Sequence, residues 1–137
     1  FIFTVSPVRH IKDGFFENNV SKAHLISAIH QFLSHRAQSR CFYFPSYEIL
    51  IDELRDYRFY AEDMLHPSQT AVNYIWEKFS QAWINEQAYP IMDSVHSVQT
   101  GLLHKPFNPE TQAHQAFLKT LELKKETLKK QFPHIVF

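Results

Sequence analysis

Glycine is scarce in this chain: only Gly14 and Gly101 occur among 137 residues, whereas glycine makes up roughly 7% of an average protein. Parallel α/β enzymes use glycine in the turns that follow strands and in the loops that bind anions. The first residues of the chain are also apolar and have the pattern of a buried strand that continues from an earlier segment. We therefore expect this chain to be part of a larger domain, whose upstream segment has been removed or lies outside it.

The chain also has a single cysteine and no formal net charge. Cys41 is the one cysteine in the sequence, which excludes an internal disulfide framework and fits a reducing compartment. The 14 basic and 14 acidic residues cancel, so the net charge favours neither a nucleic acid nor an anionic membrane as partner. No apolar run approaches the roughly 20 residues that a membrane-spanning helix requires. We expect no nucleic-acid partner and no membrane partner.

Apolar residues are abundant, at 45% of the chain with 13 phenylalanines, which excludes a disordered chain and allows one domain with a real core. Residues 1–6 and 41–44 read as strands, and each is followed by a proline. Between them, apolar residues keep helical spacing from Ser21, a good N-cap, to about Gln38. This order predicts a parallel crossover unit, and residues 47–54 predict a short helix after it.

Helical patterns dominate the second half of the chain. Ser68 is the expected cap of a helix with a wide apolar stripe that we predict to face the core, formed by Val72, Ile75, Trp76, Phe79, Ala82 and Trp83. Residues 86–103 then have a helical pattern, and Asn108 is the expected cap of a last, long helix. We therefore divide the chain into a first domain, residues 1–85, and a helical extension, residues 86–137.

A polar and aromatic loop, residues 55–67, contains an acid three residues before a histidine. One turn of backbone can bring Asp63 and His66 to the same side, where the carboxylate accepts the Nδ1–H of the imidazole. This bond fixes the tautomer and leaves Nε2 free to take a proton from a hydroxyl, as in a Ser-His-Asp relay. A second interpretation stays open, in which Asp63 belongs to a charge network that holds the loop, together with Arg55, Asp56, Arg58 and Glu62.

Three segments of unusual sequence follow one another in the chain. They are Phe-Thr-Val-Ser-Pro-Val-Arg-His at 3–10, Tyr-Phe-Pro-Ser-Tyr-Glu at 43–48, and Asp-Glu-Leu-Arg-Asp-Tyr-Arg-Phe-Tyr at 52–60, which runs into Asp-Met-Leu-His-Pro at 63–67. Their order and spacing resemble the later part of the bacterial GSCFA family, a relative of the SGNH (GDSL-like) esterases. The resemblance covers residues 1 to about 85, and the last helix resembles the tail that follows the domain in these proteins.

The resemblance implies an α/β fold, namely a partial three-layer αβα domain (SGNH-hydrolase or flavodoxin-like) with parallel strands, followed by a helical C-terminal extension. It also implies a serine esterase or acyl hydrolase in which Asp63 and His66 match the catalytic Asp-x-x-His block. The nucleophile and the oxyanion hole would lie upstream, the former in the Gly-Ser-Cys-Phe-Ala stretch that names the family. This chain lacks that stretch, so we expect it to be inactive alone and to supply the Asp-x-x-His half of the relay.

Three further residues are candidates for substrate binding. Arg9 and His10 follow the first strand, at the edge where ligands gather in parallel sheets, and Tyr60 is placed to line an acyl or sugar pocket. Each also has a structural alternative: a salt bridge or solvent exposure for the first two, and simple packing for Tyr60. We expect a small-molecule ester or an acylated sugar as substrate, and neither a cofactor nor a metal, since no histidine pair has metal-binding spacing beside an acid.

A second function stays open, that of a non-catalytic binding or assembly module on an SGNH-like scaffold. An open fragment of a parallel sheet exposes an edge and an apolar face, so we expect either a homo-oligomer or pairing with the missing N-terminal part. The bacterial cytoplasm is the default location that we expect.

Overall fold

The computed structural model describes residues 1–35 and 40–137 of the chain. These residues form two compact units, Phe1–Trp83 and Ile84–Phe137, and helices dominate both of them. No helix within the described ranges is both long enough and apolar enough to cross a membrane.

The first unit contains a parallel pair of strands, β1 (Ile2–Phe3) and β2 (Phe42–Tyr43), whose first residues lie opposite each other. The helix α1 (Phe15–Ser34) lies between them in the chain. The backbone N–H of Phe44 extends the ladder by donating to the carbonyl oxygen of Phe3 at 2.8 Å. The predicted order of strand, helix and parallel strand is therefore confirmed.

The sheet is smaller than the sequence predicts. Each strand has 2 residues, although 1–6 and 41–44 are predicted as strands. Pro7 and Pro45 have no N–H to donate to a ladder, and a helical turn begins directly at Ser46. The three-layer αβα arrangement is thus not confirmed, because the described residues form a two-stranded sheet in a mostly helical chain.

Helix α1 begins earlier than its predicted cap at Ser21. Its first residue is Phe15, directly after Gly14, whose φ of 113° is open to glycine because it has no Cβ. The backbone N–H of Asn18 donates to the carbonyl oxygen of Gly14 at 3.1 Å and closes the first turn. The predicted end of this helix, at about Gln38, lies outside the described residues.

The short helix predicted over residues 47–54 is present, and it starts at Ser46. Its first turn is α2 (Ser46–Glu48), and its remainder is a π-helical turn over Ile49–Leu54. A 3-10 turn at Tyr57–Phe59 comes next and leads into the loop with the acid and the histidine. The apolar side chains buried in this unit come from the strand ends, these turns and the following helix, and they are Val5, Phe44, Ile49, Leu50 and Ala71.

Helix α3 (Gln69–Trp83) begins after Ser68, whose hydroxyl accepts the backbone N–H of Ala71 at 3.4 Å, so Ser68 caps the helix as predicted. The prediction that its apolar stripe faces the core is wrong for Val72 and Trp76, which are 46% and 50% exposed. These two side chains instead line an open groove of about 460 Å³, which we call the apolar groove; its other walls include Ile2, Thr4, Phe44, Ser46, Pro67 and Phe79.

The second unit packs helix α4 (Tyr89–Leu103) against helix α5 (Gln112–Gln131). Its core consists of Val98, Leu121 and Leu128, which are all buried. Leu121 and Leu128 are two helical turns apart on the side of α5 that packs against Val98 of α4, as the apolar pattern of the last helix predicts.

The cap of α5 differs from the predicted one. The side chain of Asn108 accepts the backbone N–H of Glu110 at 3.1 Å and so stabilises a turn before the helix. The hydroxyl of Thr111 is the cap and accepts the N–H of His114 at 3.2 Å.

Candidate active site

The acid and the histidine lie in a loop that is closed on itself, and we call residues 60–67 the relay loop. Tyr60 and Pro67 form an antiparallel bridge at its base. Inside it, the backbone N–H of Ala61 donates to the carbonyl oxygen of His66 at 2.8 Å, and that of Met64 donates to the carbonyl oxygen of Ala61 at 2.9 Å. These bonds give the loop a defined shape just before α3 begins.

Asp63 and His66 lie in contact within the relay loop. Oδ2 of Asp63 is 2.6 Å from Nδ1 of His66. Oδ1 of the same carboxylate accepts the backbone N–H of Leu65 at 2.9 Å and that of His66 at 3.0 Å. Because an ionised carboxylate only accepts hydrogen bonds, Nδ1 carries the proton, and Nε2 of the neutral ring is left as the acceptor.

The hydrogen bonds around Asp63 keep its carboxyl group ionised. They lower its pKa from 3.8 to about 2; the backbone N–H of His66 contributes most, followed by the imidazole of His66 and the backbone N–H of Leu65. Each donor favours the charged form of the acid. Asp63 is therefore an anion throughout the neutral pH range, and it can orient the imidazole and stabilise its protonated form.

The imidazole of His66 is accessible from outside the unit. Its side chain is 61% exposed, and within residues 1–35 and 40–137 no group forms a hydrogen bond with Nε2. A general base must reach the proton that it removes, at about 2.6–3.2 Å between heavy atoms. Because the side chain of His66 is exposed, a hydroxyl supplied by another segment can approach Nε2, as a general base requires.

Met64 has a backbone conformation that the sequence does not signal. Its φ of 59° lies in the left-handed region, which costs a residue other than glycine roughly 1–3 kcal/mol. Asparagine or glycine at this position would have marked such a turn, whereas methionine carries no such preference. Sequence reasoning therefore missed Met64, and with it the role of Leu65, whose N–H and carbonyl groups both take part in the site.

Arg9 and Tyr60, two of the predicted substrate-binding residues, lie together at the relay loop. The guanidinium carbon of Arg9 is 3.8 Å from the centre of the Tyr60 ring. Nη1 of Arg9 donates to the carbonyl oxygen of Met64 at 3.2 Å. The hydroxyl of Tyr60 is buried and has no hydrogen-bond partner among the described residues. Substrate binding by these two residues stays a prediction.

His10 is not brought to the relay loop. Its backbone N–H donates to Oδ1 of Asn18 in α1 at 2.9 Å, and its side chain is exposed. In the described part of the chain it makes no contact with Asp63 or His66. Its predicted role in substrate binding therefore stays a prediction with no contact to support it.

The alternative charge network takes a simpler form than predicted. The backbone N–H of Arg58 donates to Oδ1 of Asp56, and Nη2 of Arg58 lies 3.2 Å from Oδ2 of the same carboxylate. Both contacts, the backbone bond most of all, lower the pKa of Asp56. Within the described ranges Asp63 forms no ion pair with an arginine. Among the residues that the structure describes, its hydrogen-bond partners are Leu65 and His66, so its geometry is that of an acid–histidine pair.

The described residues do not complete a relay by themselves. Ser46 donates to the carbonyl oxygen of Val5 at 2.8 Å, Ser68 caps α3, and the hydroxyl of Ser6 accepts the N–H of Val8 at 3.2 Å. No serine hydroxyl of residues 1–35 and 40–137 contacts His66. The same residues contain no group of three or more His, Cys, Asp or Glu side chains arranged to hold a metal ion.

Two family models match the chain. The model of the GSCFA family matches residues 1–79, and the model described as GSCFA domain protein, C-terminal domain, matches residues 95–137. The first match spans more than half of the chain and includes Asp63 and His66. Together the two matches confirm the resemblance that the three sequence segments indicate. Neither the curated proteins nor the solved structures include one that matches the chain.

Proposed function

Because the chain belongs to the GSCFA family, we propose that it supplies the Asp-x-x-His part of the relay of a serine esterase or acyl hydrolase. The observation that supports the proposal is the hydrogen bond between Asp63 and Nδ1 of His66, 2.6 Å long, in an exposed loop at the start of a helix. This bond leaves Nε2 as the free base, which is the arrangement that hydroxyl activation requires.

In the proposed reaction a serine from an upstream segment attacks the ester carbonyl. Nε2 of His66 takes the hydroxyl proton as the bond between serine oxygen and carbonyl carbon forms, and Asp63 stabilises the resulting imidazolium. His66 then returns the proton to the departing alcohol, which leaves an acyl-serine. A water molecule repeats the sequence and releases the acid. Donors of the upstream segment would hold the oxyanion.

The source of the serine is the one that the family resemblance implies. The hydroxyls of Ser6, Ser46 and Ser68 already take part in local hydrogen bonds. As the resemblance to the family implies, the Gly-Ser-Cys-Phe-Ala stretch after which the family is named is the proposed source of the nucleophile. In this proposal β1 and β2 belong to the sheet of a three-layer αβα domain, and the substrate is a small-molecule ester or an acylated sugar.

The test uses a GSCFA protein that contains both the Gly-Ser-Cys-Phe-Ala stretch and this chain, assayed with p-nitrophenyl acetate and with an acetylated sugar. We expect His66→Ala to reduce kcat/KM by about three orders of magnitude or more, because the general base is lost. His24→Ala is the matched control, since His24 is exposed on α1 of the same unit. Near-normal turnover by His66→Ala, on a substrate that the wild type cleaves, would contradict the proposed function.

A second candidate function, that of a binding or assembly module, is favoured by the apolar groove. The hydroxyls in its wall bond each other, since the Oγ atoms of Ser46 and Thr4 are 2.6 Å apart, and Ser46 also donates to the carbonyl oxygen of Val5. The side chains of the groove therefore offer an occupant mainly apolar contact. Ile2 lies in this wall on β1, whose second edge has no strand beside it among the described residues.

An apolar wall beside an open strand edge fits an extended apolar segment that adds a strand to β1. The proposed occupant is the upstream part of a GSCFA domain. We expect Val72→Asp to abolish co-purification of this chain with a separately expressed upstream part. Leu25→Asp should not, because Leu25 is similarly exposed, at 49% against 46% for Val72, but lies on α1 outside the groove. Equal recovery of both variants would argue against this candidate.

A further inference from the structure

Arg9 reaches the relay loop from the segment that follows β1. Its backbone N–H donates to the carbonyl oxygen of Leu65 at 3.0 Å, and its Nη1 donates to the carbonyl oxygen of Met64 at 3.2 Å. Its guanidinium carbon lies 3.8 Å from the centre of the Tyr60 ring. A residue far away in sequence thus contacts three residues of one short loop.

The contacts of Arg9 and those of Asp63 involve the same two peptide groups. Arg9 binds the carbonyl oxygens of Met64 and Leu65. Oδ1 of Asp63 accepts the N–H groups of Leu65 and His66, which belong to those same peptide groups. In a planar trans peptide the C=O and the N–H point in opposite directions. The two peptide groups therefore lie between Arg9 on one side and the carboxylate of Asp63 on the other.

We infer that Arg9 is a positioning residue, which holds these two peptide groups so that Asp63 stays aligned with His66. Hydrogen bonds to both ends of a peptide group polarise it, so each bond strengthens the other. The catalytic consequence of this inference rests on the proposed function. The alignment of Asp63 with His66 is a property of this chain and needs no nucleophile.

The conformation of Met64 shows why the loop needs such support. Its left-handed φ of 59° is disfavoured for a methionine, and it persists where surrounding contacts determine it. Nη1 of Arg9 binds the carbonyl oxygen of Met64 directly. Without this bond, the peptide group that follows Met64 can rotate, and its N–H then turns away from Asp63.

The chemistry of the side chain explains why an arginine stands here. The planar guanidinium stacks on an aromatic ring and donates at the same time, whereas a lysine ammonium has no planar face. The ring of Tyr60 provides the stacking surface, and Tyr60 lies at the base of the relay loop. Stacking restricts the guanidinium to the position from which Nη1 reaches the loop.

The first experiment records the imidazole tautomer of His66 in the 137-residue chain, by two-bond ¹H–¹⁵N correlation NMR at mildly alkaline pH. We expect the wild type to show one tautomer, with the proton on Nδ1. Arg9→Met keeps the backbone bond to Leu65 and removes only the guanidinium, and we expect it to show a mixture of tautomers. The amide signals of Leu65 and His66 should move in the same variant, because their bonds to Asp63 weaken.

Arg58→Met is the matched control, since this variant loses the same charge close to the relay loop, and among the described residues the side chain of Arg58 pairs with Asp56 and lies near the ring of Phe59. It should keep the wild-type tautomer. The inference is overturned if Arg9→Met keeps one tautomer and unshifted amide signals. If Arg9→Met does not fold, Arg9→Lys takes its place with the same two outcomes, because lysine preserves the charge but not the stacking on Tyr60.

A second experiment separates positioning from substrate binding in a GSCFA protein that contains both the upstream stretch and this chain. A positioning role predicts that Arg9→Lys lowers kcat by roughly tenfold or more while KM stays within about twofold. A rise in KM at unchanged kcat would instead assign Arg9 to the substrate and overturn the inference. If the wild type hydrolyses no ester but the chain shows the expected tautomers, the proposed function fails and the inference stands.

Discussion

Asp63 contacts His66 through both oxygens of one carboxylate: Oδ1 accepts the backbone N–H at 3.0 Å, and Oδ2 lies 2.6 Å from Nδ1 of the ring. The residue that orients the imidazole thus also fixes the backbone from which the imidazole extends. Both contacts are strongest with an ionised carboxylate, and the pKa of Asp63 is lowered to about 2. The pair should therefore persist through the neutral range and weaken only in acid.

The stability of the chain should depend on Asp63 in a defined pH window. The folded-state pKa of about 2 lies below the ordinary 3.8, so the unfolded chain takes up the proton first as the pH falls. We expect wild type to be more stable than Asp63→Asn above about pH 4, and the difference in free energy of unfolding to shrink between about pH 4 and 2. Urea unfolding at several pH values measures this difference.

Glu62→Gln is the control for this experiment. Glu62 is the neighbouring carboxylate, it is exposed, and it forms no hydrogen bond among the described residues. The free energy of unfolding of Glu62→Gln should depend on pH in the same way as that of the wild type through this pH range. A profile of Asp63→Asn that also runs parallel to the wild type would show that the hydrogen bonds of Asp63 do not contribute to stability.

A second pH dependence concerns the proposed reaction. If Nε2 of His66 accepts the proton of the serine, a protonated imidazole cannot act, so kcat/KM should rise with pH as the fraction of neutral imidazole rises. The measurement is the initial rate of ester hydrolysis by a GSCFA protein with both parts of the relay, corrected for spontaneous hydrolysis at each pH. A rate that stays constant from mildly acidic to mildly alkaline pH would exclude His66 as the base.

Local features of the structure could be predicted from the sequence. The contact between Asp63 and His66 depends on a spacing of three residues, which a single turn of backbone satisfies. The parallel crossover follows from two short apolar stretches, each followed by a proline, with a helical pattern between them. In both cases the residues that decide the outcome lie close together in the chain or repeat with a regular period.

Features that depend on distant contacts could not be predicted. Arg9 and Met64 are 55 positions apart, and no periodic pattern connects them. The left-handed conformation of Met64 is imposed by its surroundings and not by its residue type. The apolar stripe of α3 shows the same limit, because periodicity predicts an apolar face but not what covers it, and Trp76 is 50% exposed.

Ser46 is expected to stabilise the junction between β1 and the helical turn α2. It is buried, and its hydroxyl donates to the carbonyl oxygen of Val5 at 2.8 Å and lies 2.6 Å from the hydroxyl of Thr4. Ser46→Ala removes both bonds and leaves the carbonyl of Val5 without this donor. We expect the free energy of unfolding of the first unit to fall by about 1–2 kcal/mol, measured by urea unfolding with tryptophan fluorescence.

Ser27→Ala provides the comparison, because Ser27 is exposed on α1 of the same unit and has no hydrogen bond among the described residues other than those of the helix backbone. It should change the free energy of unfolding by no more than about 0.5 kcal/mol. The fluorescence signal is suitable because both tryptophans of the chain, Trp76 and Trp83, belong to the first unit. Equal midpoints for the two serine variants would contradict the role given to Ser46.

The second unit allows a test with two leucines on one helix. Leu121 is 7% exposed and packs in the core with Val98, whereas Leu123 is 65% exposed. Leu121→Ala and Leu123→Ala change the helix propensity of α5 by the same small amount, so the difference between them isolates burial. We expect Leu121→Ala to lower the free energy of unfolding of this unit by about 2–3 kcal/mol, and Leu123→Ala by no more than about 0.5 kcal/mol.

Hydrogen exchange of the amides in α4 and α5 measures the unfolding of this unit separately from that of the first. The two helices approach each other closely at Gly101, where an added Cβ would lie 2.6 Å from Cδ1 of Leu121. This close approach supports the expected loss of stability in Leu121→Ala. A truncated Leu121 leaves a gap that a closely packed pair of helices fills only in part. If both leucine variants lose the same protection, Leu121 is not a core residue and the packing of α4 on α5 must be reconsidered.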